Sequence, residues 1–133
     1  MIFWTRGDTG QLTTNFSKPE FTCQCGKCEN QQVDADLVMK LEILRNSFPD
    51  GIRITSGYRC PEHQAALLGS GNYQTVQYSQ HVLGKAADCK PVKEGVIKEF
   101  ETEAAKLFEA IGVASTWLHL DLRTGKERRW YYK

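Results

Sequence analysis

Apolar positions along this chain change their spacing several times, and each change marks an element. Leu37, Leu41, Leu44 and Phe48 recur at helical steps, with Val38 widening the stripe, so a helix is predicted from about Asp34 onward. Asp34 or Asp36 can cap its start by accepting backbone N–H groups, and Pro49-Asp50-Gly51 supplies the turn that ends it. Ile52 to Thr55 alternates apolar and polar, as a half-buried strand does. Pro61 suits the first turn of a short helix reaching about Leu68, with Gly69 at its end. Residues 69–78 read as a polar loop, and Gly84 to Cys89 as a short strand of small residues. A second long helix is predicted over residues 94–111, with Ile97, Phe100, Leu107, Phe108 and Ile111 on one side and Gly112 as its stop. From Trp117 the pattern alternates again: Trp117, His119 and Asp121 share one face, Leu118, Leu120 and Leu122 the other. Arg128 to Tyr132 reads as a last strand at hairpin-like spacing, and residues 1–32 as loop-rich. The sum is an α+β fold, a mostly antiparallel sheet packed with helices.

Composition narrows the class. A chain of 133 residues suits a single domain with one core. Hydrophobic residues at 41% and charged residues at 25% fit a globular protein rather than a disordered one. The net charge of +1 argues against nucleic acid as the main partner, because phosphate binding usually leaves a strong basic excess. Lys126, Arg128 and Arg129 make a short basic cluster that reads as a solvated face. No stretch is apolar for long enough to span a bilayer. Met1 to Trp4 is too short for a signal-peptide core, so neither membrane insertion nor an export signal is expected. A monomer is expected.

The chemistry-bearing residues are few. Of the three histidines, His81 lies in Ser79-Gln-His-Val-Leu-Gly-Lys-Ala-Ala-Asp88 and His119 in Trp117-Leu-His-Leu-Asp121. A catalytic zinc takes three protein ligands from His, Asp or Glu and keeps an open position. His81, Asp88 and His119 supply such a set. The step from His81 to Asp88 suits a loop residue and a strand residue joined by a turn at Gly84. A hydrogen-bonded His–Asp pair with no metal is the other reading, and the residues alone leave both open. Cys23, Cys25, Cys28 and Cys60 can hold a structural zinc, pair as disulfides, or stay as free buried thiols. The Cys23-x-Cys25 spacing is tighter than a usual zinc knuckle. Cys89 follows Asp88 and points to the opposite strand face, away from the catalytic metal.

Three segments in order resemble the zinc D-alanyl-D-alanine peptidase family of peptidoglycan carboxypeptidases and endopeptidases, some of them phage lysins. Phe16-Ser-Lys-Pro-Glu-Phe21 with the cysteine cluster resembles the family's opening. Ile54-Thr-Ser-Gly-Tyr-Arg-Cys60 resembles its Ser-Gly-Tyr-Arg element. Ser79 to Asp88, followed downstream by the His119-x-Asp121 strand, resembles its metal motif. The resemblance covers most of the chain and implies a hedgehog/D-Ala-D-Ala peptidase fold over residues 1–133. It implies His81, Asp88 and His119 as zinc ligands and Arg59 as a group facing substrate, able to bind a carboxylate or polarise the scissile carbonyl. Ser79 is expected to hydrogen-bond near the metal, and Tyr58, Tyr78 and Trp117 are expected either to line the cleft or to pack in the core. His63 is expected to be structural or at the cleft edge.

Several relatives carry an acidic residue three positions before the last zinc histidine, where this chain has Thr116. Asp121 is therefore the expected general base. Orientation of His119 is its alternative role, and an exchange of roles with Asp121 on zinc is a third. The expected function is zinc-dependent hydrolysis of peptidoglycan stem or cross-link peptides, by a carboxypeptidase or an endopeptidase of lysin type. The rival is an inactive metal-binding module of the same fold that acts through protein contacts, and Thr116 is the feature that favours it.

Overall fold

The structure is a computed structural model that describes residues 1–69 and 79–132. Strands β1 (Ile2–Thr5) and β2 (Asn30–Val33) pair antiparallel as a small ribbon, with α1 (Lys18–Phe21) between them in sequence. Helix α2 (Ala35–Arg45), strand β3 (Ile52–Ser56), helix α3 (Pro61–Leu68), strand β4 (Ala86–Pro91), helix α4 (Ile97–Ala104) and strands β5 (Ala110–Val113), β6 (Leu118–Asp121) and β7 (Arg128–Tyr131) follow. The last five strands form one sheet in the order β3-β4-β6-β5-β7. Its pairings are antiparallel except β5 with β7, which run parallel. The α+β, mostly antiparallel expectation therefore holds. No helix among the described residues is long and apolar enough to cross a membrane.

Helix α2 forms where the apolar stripe predicted it. Asp34 is the cap, its carboxylate accepting the Asp36 N–H at 2.9 Å. Leu37, Val38, Leu41 and Leu44 are buried in the core. They share it with Ala87 and Cys89 of β4, Ile111 of β5 and Leu118 and Leu120 of β6. Cys89 thus lies on the core side of β4, with Leu118 as its cross-strand partner. All four residues of β6 are buried because the strand is flanked by β4 and β5 and covered on both faces.

Three expectations need correction. The long helix over 94–111 ends at Ala104, and residues 110–113 are strand β5. The apolar spacing of Leu107, Phe108 and Ile111 mimics a helix, yet the chain tightens into turns and then pairs with β6. Gly112 is no helix stop. It sits mid-strand opposite Trp130, where a Cβ would lie 2.5 Å from the indole nitrogen. Strand β7 is no hairpin partner of β6 but lies beside β5, because tertiary pairing outranks sequence proximity. Residues 1–32 hold the short elements β1, α1 and the start of β2 among turns and loops. The predicted 69–78 loop lies, apart from Gly69, outside the described residues.

Gly57, just after β3, meets the backbone of α1: a Cβ there would stand 2.6 Å from Phe21 Cα. Backbone cannot step aside as a side-chain tip can. Gly57→Ala is expected to cost about 1–3 kcal/mol of stability by overpacking, read as a lowered urea midpoint at unchanged slope. An unchanged midpoint would contradict this packing.

Candidate metal centre

The sheet register builds the site. Asp88 of β4 and His119 of β6 are direct cross-strand partners, so their side chains rise together from one face. Asp121 shares that face two residues on and stands opposite Ala86, whose methyl leaves room beside it. His81 arrives from the turn before β4. Ser79 carbonyl accepts the N–H groups of Val82 and Leu83, and the His81 carbonyl accepts that of Gly84. The register of β3 against β4 shifts between Ile54 and Ser56. Such a bulge re-aims the chain that follows, here Gly57 to Arg59. His81, Asp88 and His119 are all buried, and each offers one ligand atom within 4.8 Å of the other two.

Proton accounting shows what this trio lacks. His81 Nδ1 lies 2.8 Å from the Gly57 carbonyl oxygen. A carbonyl only accepts, so Nδ1 carries the proton and Nε2 of the neutral ring presents a lone pair. That Nε2 is buried, without a hydrogen-bond partner, and 3.3 Å from Asp88 Oδ1 in poor alignment for a hydrogen bond. His119 Nε2 sits 2.8 Å from Asp121 Oδ2 and donates to it. In the neutral ring Nδ1 then also presents a lone pair, 3.1 Å from Asp88 Oδ1. Two imidazole lone pairs and a carboxylate oxygen therefore converge with no proton between them. Such a buried arrangement calls for a cation. A His2Asp donor set with outer carboxylate and carbonyl partners suits zinc.

The surroundings hold the trio in place. Arg59 Nη2 donates to Asp88 Oδ2 at 3.0 Å, leaving Oδ1 to the histidines. Arg59 is itself held by Ser56 Oγ at 3.0 Å and Gln64 Oε1 at 3.2 Å. Arg123 donates to Asp121 through its backbone N–H, Nε and Nη2, at 3.0, 3.0 and 2.9 Å. Trp130 lies against His119, with ring centroids 5.3 Å apart. Burial alone would raise the pKa of Asp88, but the close approach of His119, then His81, outweighs it and holds the carboxyl well below the usual range. Burial likewise works against the charged forms of Asp121 and His119. The His119 and Arg123 contacts nevertheless bring Asp121 to about 2, and its two carboxylate neighbours raise His119.

The predicted residues do not all meet. Arg59, Thr116 and Trp117 line an open cleft of about 530 Å³ beside Asp88 and His63. Asp121 is fully buried, its oxygens taken by His119 and Arg123, so the expectation that it serves as the base meets a carboxylate with no free face. Tyr58 belongs beside the cysteines rather than in that cleft. Burial, then charge from Cys28, Cys60 and Cys23, pushes its hydroxyl up to about 12. Ser79 acts through its backbone carbonyl in the turn that carries His81. Tyr78 lies outside the described residues. Cys23, Cys25, Cys28 and Cys60 converge separately from the histidine site.

Sequence reasoning did not single out Arg123, Gln64, Trp130 or the Gly57 carbonyl. Arg123 was within reach of it, since it lies two residues past Asp121 and one turn can return its guanidinium. The others depend on which segments the fold brings together. His63 lines the cleft, one of the two places expected for it, and burial, then Arg59, lowers its pKa and keeps it neutral at pH 7.

A family model described as Peptidase M15 matches residues 14–121, which span the α1 segment, the cysteines, Arg59 and the whole His-Asp-His trio. Comparison with curated proteins and with solved structures gives no match.

The raised pKa of His119 has a consequence for the metal-free protein. Its protonated form contributes stability that is fully present below the unfolded value of about 6.5 and is lost as pH rises through the higher folded value. The melting temperature of the chelator-treated protein is expected to fall as pH rises above about 6.5, and Asp121→Asn to flatten that slope. A slope left unchanged by Asp121→Asn would contradict the pairing.

Proposed function

This chain belongs to the peptidase M15 family, and on that premise we propose that it is a zinc peptidase that cuts peptide bonds of bacterial peptidoglycan. The observation that carries the reading is the convergence of His81 Nε2, His119 Nδ1 and Asp88 Oδ1 in one buried group, each offering a ligand atom within 4.8 Å of the others. These three residues would hold the zinc. When bound, zinc supplies Lewis acidity to the scissile carbonyl and to the attacking water.

The protein's own groups supply the rest. Arg59 fixes Asp88 and borders the open cleft, where its guanidinium can meet a peptide carbonyl or a terminal carboxylate. Trp117, stacked on Tyr132 at 4.9 Å, gives the cleft a firm apolar wall. Asp121 acts through His119: it fixes the ring's tautomer and raises its basicity, as carboxylates behind metal-bound histidines do. The exchange of roles, with Asp121 on the metal, is disfavoured because Asp121 stands outside the ligand group. His63 takes over as the proton acceptor, being a neutral imidazole in the cleft wall.

A lysin-type endopeptidase and a carboxypeptidase both fit this arrangement. An inactive binding module is the second reading, favoured by the exposed Thr116 on the cleft wall where several relatives place an acid.

The test is incubation of the zinc-loaded protein with isolated peptidoglycan, with and without a chelator, and identification of the fragments by mass spectrometry. Chelator-sensitive release of stem or cross-link peptides is expected. Asp121→Asn should lower activity or zinc affinity about 10–100-fold, and His63→Gln should remove the acidic limb of the pH profile. A fully loaded protein that cleaves none of several wall chemistries would overturn the peptidase reading and favour the binding module.

A further inference from the structure

The four cysteines near α1 and α3 form a second centre that the peptidase chemistry does not use. Their sulfurs all lie within 4.8 Å of one another, and none is bonded to another. Cys25 Sγ and Cys60 Sγ stand 3.9 Å apart. A tetrahedral zinc with Zn–S bonds of 2.3 Å spaces its sulfurs about 3.8 Å apart, so the cluster has the dimensions of a tetrathiolate site. A disulfide needs about 2 Å.

The hydrogen bonds around the sulfurs suit thiolates rather than thiols. The N–H groups of Lys27 and Cys28 both donate to Cys25 Sγ at 3.3 Å, folding Cys25-Gly-Lys-Cys28 around that sulfur. The Cys60 N–H donates to Cys23 Sγ at 3.3 Å, and the His63 N–H to Cys60 Sγ at 3.4 Å. Gln31 Nε2 reaches Cys28 Sγ at 3.2 Å. The Arg6 guanidinium stands 3.4 Å from Cys28 Sγ and 3.6 Å from Cys25 Sγ, while also donating to the carbonyls of Cys28 and Cys23. Four thiolates around one zinc carry a net double negative charge, and a positive group fixed at the sulfurs offsets part of it. N–H donors reach all four sulfurs and the Arg6 cation reaches two of them, which suits a thiolate cluster better than pairwise disulfides.

We propose that Cys23, Cys25, Cys28 and Cys60 bind a second, structural zinc that clamps the N-terminal segment to the junction carrying Arg59. Cys60 follows Arg59 directly and caps the start of α3. That helix carries Gln64, which holds the Arg59 guanidinium, and His63, whose N–H donates to Cys60 Sγ. The metal therefore joins β1 and the Cys25–Cys28 loop to the residues that border the catalytic cleft. Binding here stands independently of the peptidase reading; only the consequence for Arg59 rests on it.

The experiment measures zinc per chain in the intact protein, in His81→Ala/His119→Ala and in Cys25→Ser/Cys28→Ser, each loaded with zinc chloride and desalted. The wild type should hold two zinc ions and each variant one. The histidine variant reloaded with cobalt chloride should show thiolate-to-cobalt charge-transfer absorption. A histidine variant that binds neither zinc nor cobalt overturns the proposal even if the wild type cleaves peptidoglycan. In case the cysteine variant does not fold, alkylation of the native wild type decides the matter: the four thiols should be protected with zinc and react once a chelator is added. Rapid alkylation in the presence of zinc, or disulfides among these cysteines found by mass spectrometry, overturns it.

Discussion

Two neutral imidazoles cannot share a buried carboxylate oxygen when both have already given their protons to other acceptors. His81 has given its own to the Gly57 carbonyl and His119 its own to Asp121. Asp88 Oδ1 is left facing two lone pairs in a buried pocket. In the metal-free protein a proton taken up by His119 relieves the repulsion, and against the effect of burial the carboxylates of Asp121 and Asp88 raise its pKa. A metal cation relieves it more fully, so proton and metal compete for the same electron pairs. The stability and pH behaviour of the sheet centre, and the chemistry of the cleft, all follow from that competition.

The rest of the fold keeps the arrangement from relaxing. Leu118 and Leu120 bury one face of β6 in the core, which fixes His119 and Asp121 on the other. A one-residue slip of β6 would move His119 and Asp121 to the wrong face, away from Asp88. Arg59 and Arg123 lock the two carboxylates from opposite sides. Gly112 admits Trp130 against the His119 ring. Gly57 lets the chain pass α1 at backbone contact and so brings its carbonyl to His81. The candidate ligands are thus held by two paired strands and the turn before β4, beside an open cleft.

Helix α2 and strand β6 were legible in the sequence because each has one clear period and a buried face. The trio came from the resemblance of the Ser79 to Asp88 segment and the His119 strand to a known family, since spacing alone left a plain His–Asp pair open, and the fold brings the three side chains together. Strand β5 was not legible. Leu107, Phe108 and Ile111 continue a helical spacing, and only pairing with β6 and β7 turns residues 110–113 into a strand. The role of Asp121 was half legible: its face was foreseen, while its complete enclosure by Arg123 and His119 depends on a turn that periodicity does not encode. Among the cysteines, attention to the close Cys23-x-Cys25 pair hid the Cys25-x-x-Cys28 loop, whose backbone N–H groups wrap one sulfur.

The central claim is a zinc bound by His81, Asp88 and His119, with Asp121 behind the ring. Anomalous diffraction at the zinc absorption edge, from crystals of the zinc-loaded protein, tests it most directly. The account predicts a peak about 2.0–2.2 Å from His81 Nε2, Asp88 Oδ1 and His119 Nδ1, with His119 Nε2 still bonded to Asp121. A peak coordinated by Asp121, or none at this trio in a crystal grown with zinc, would contradict it.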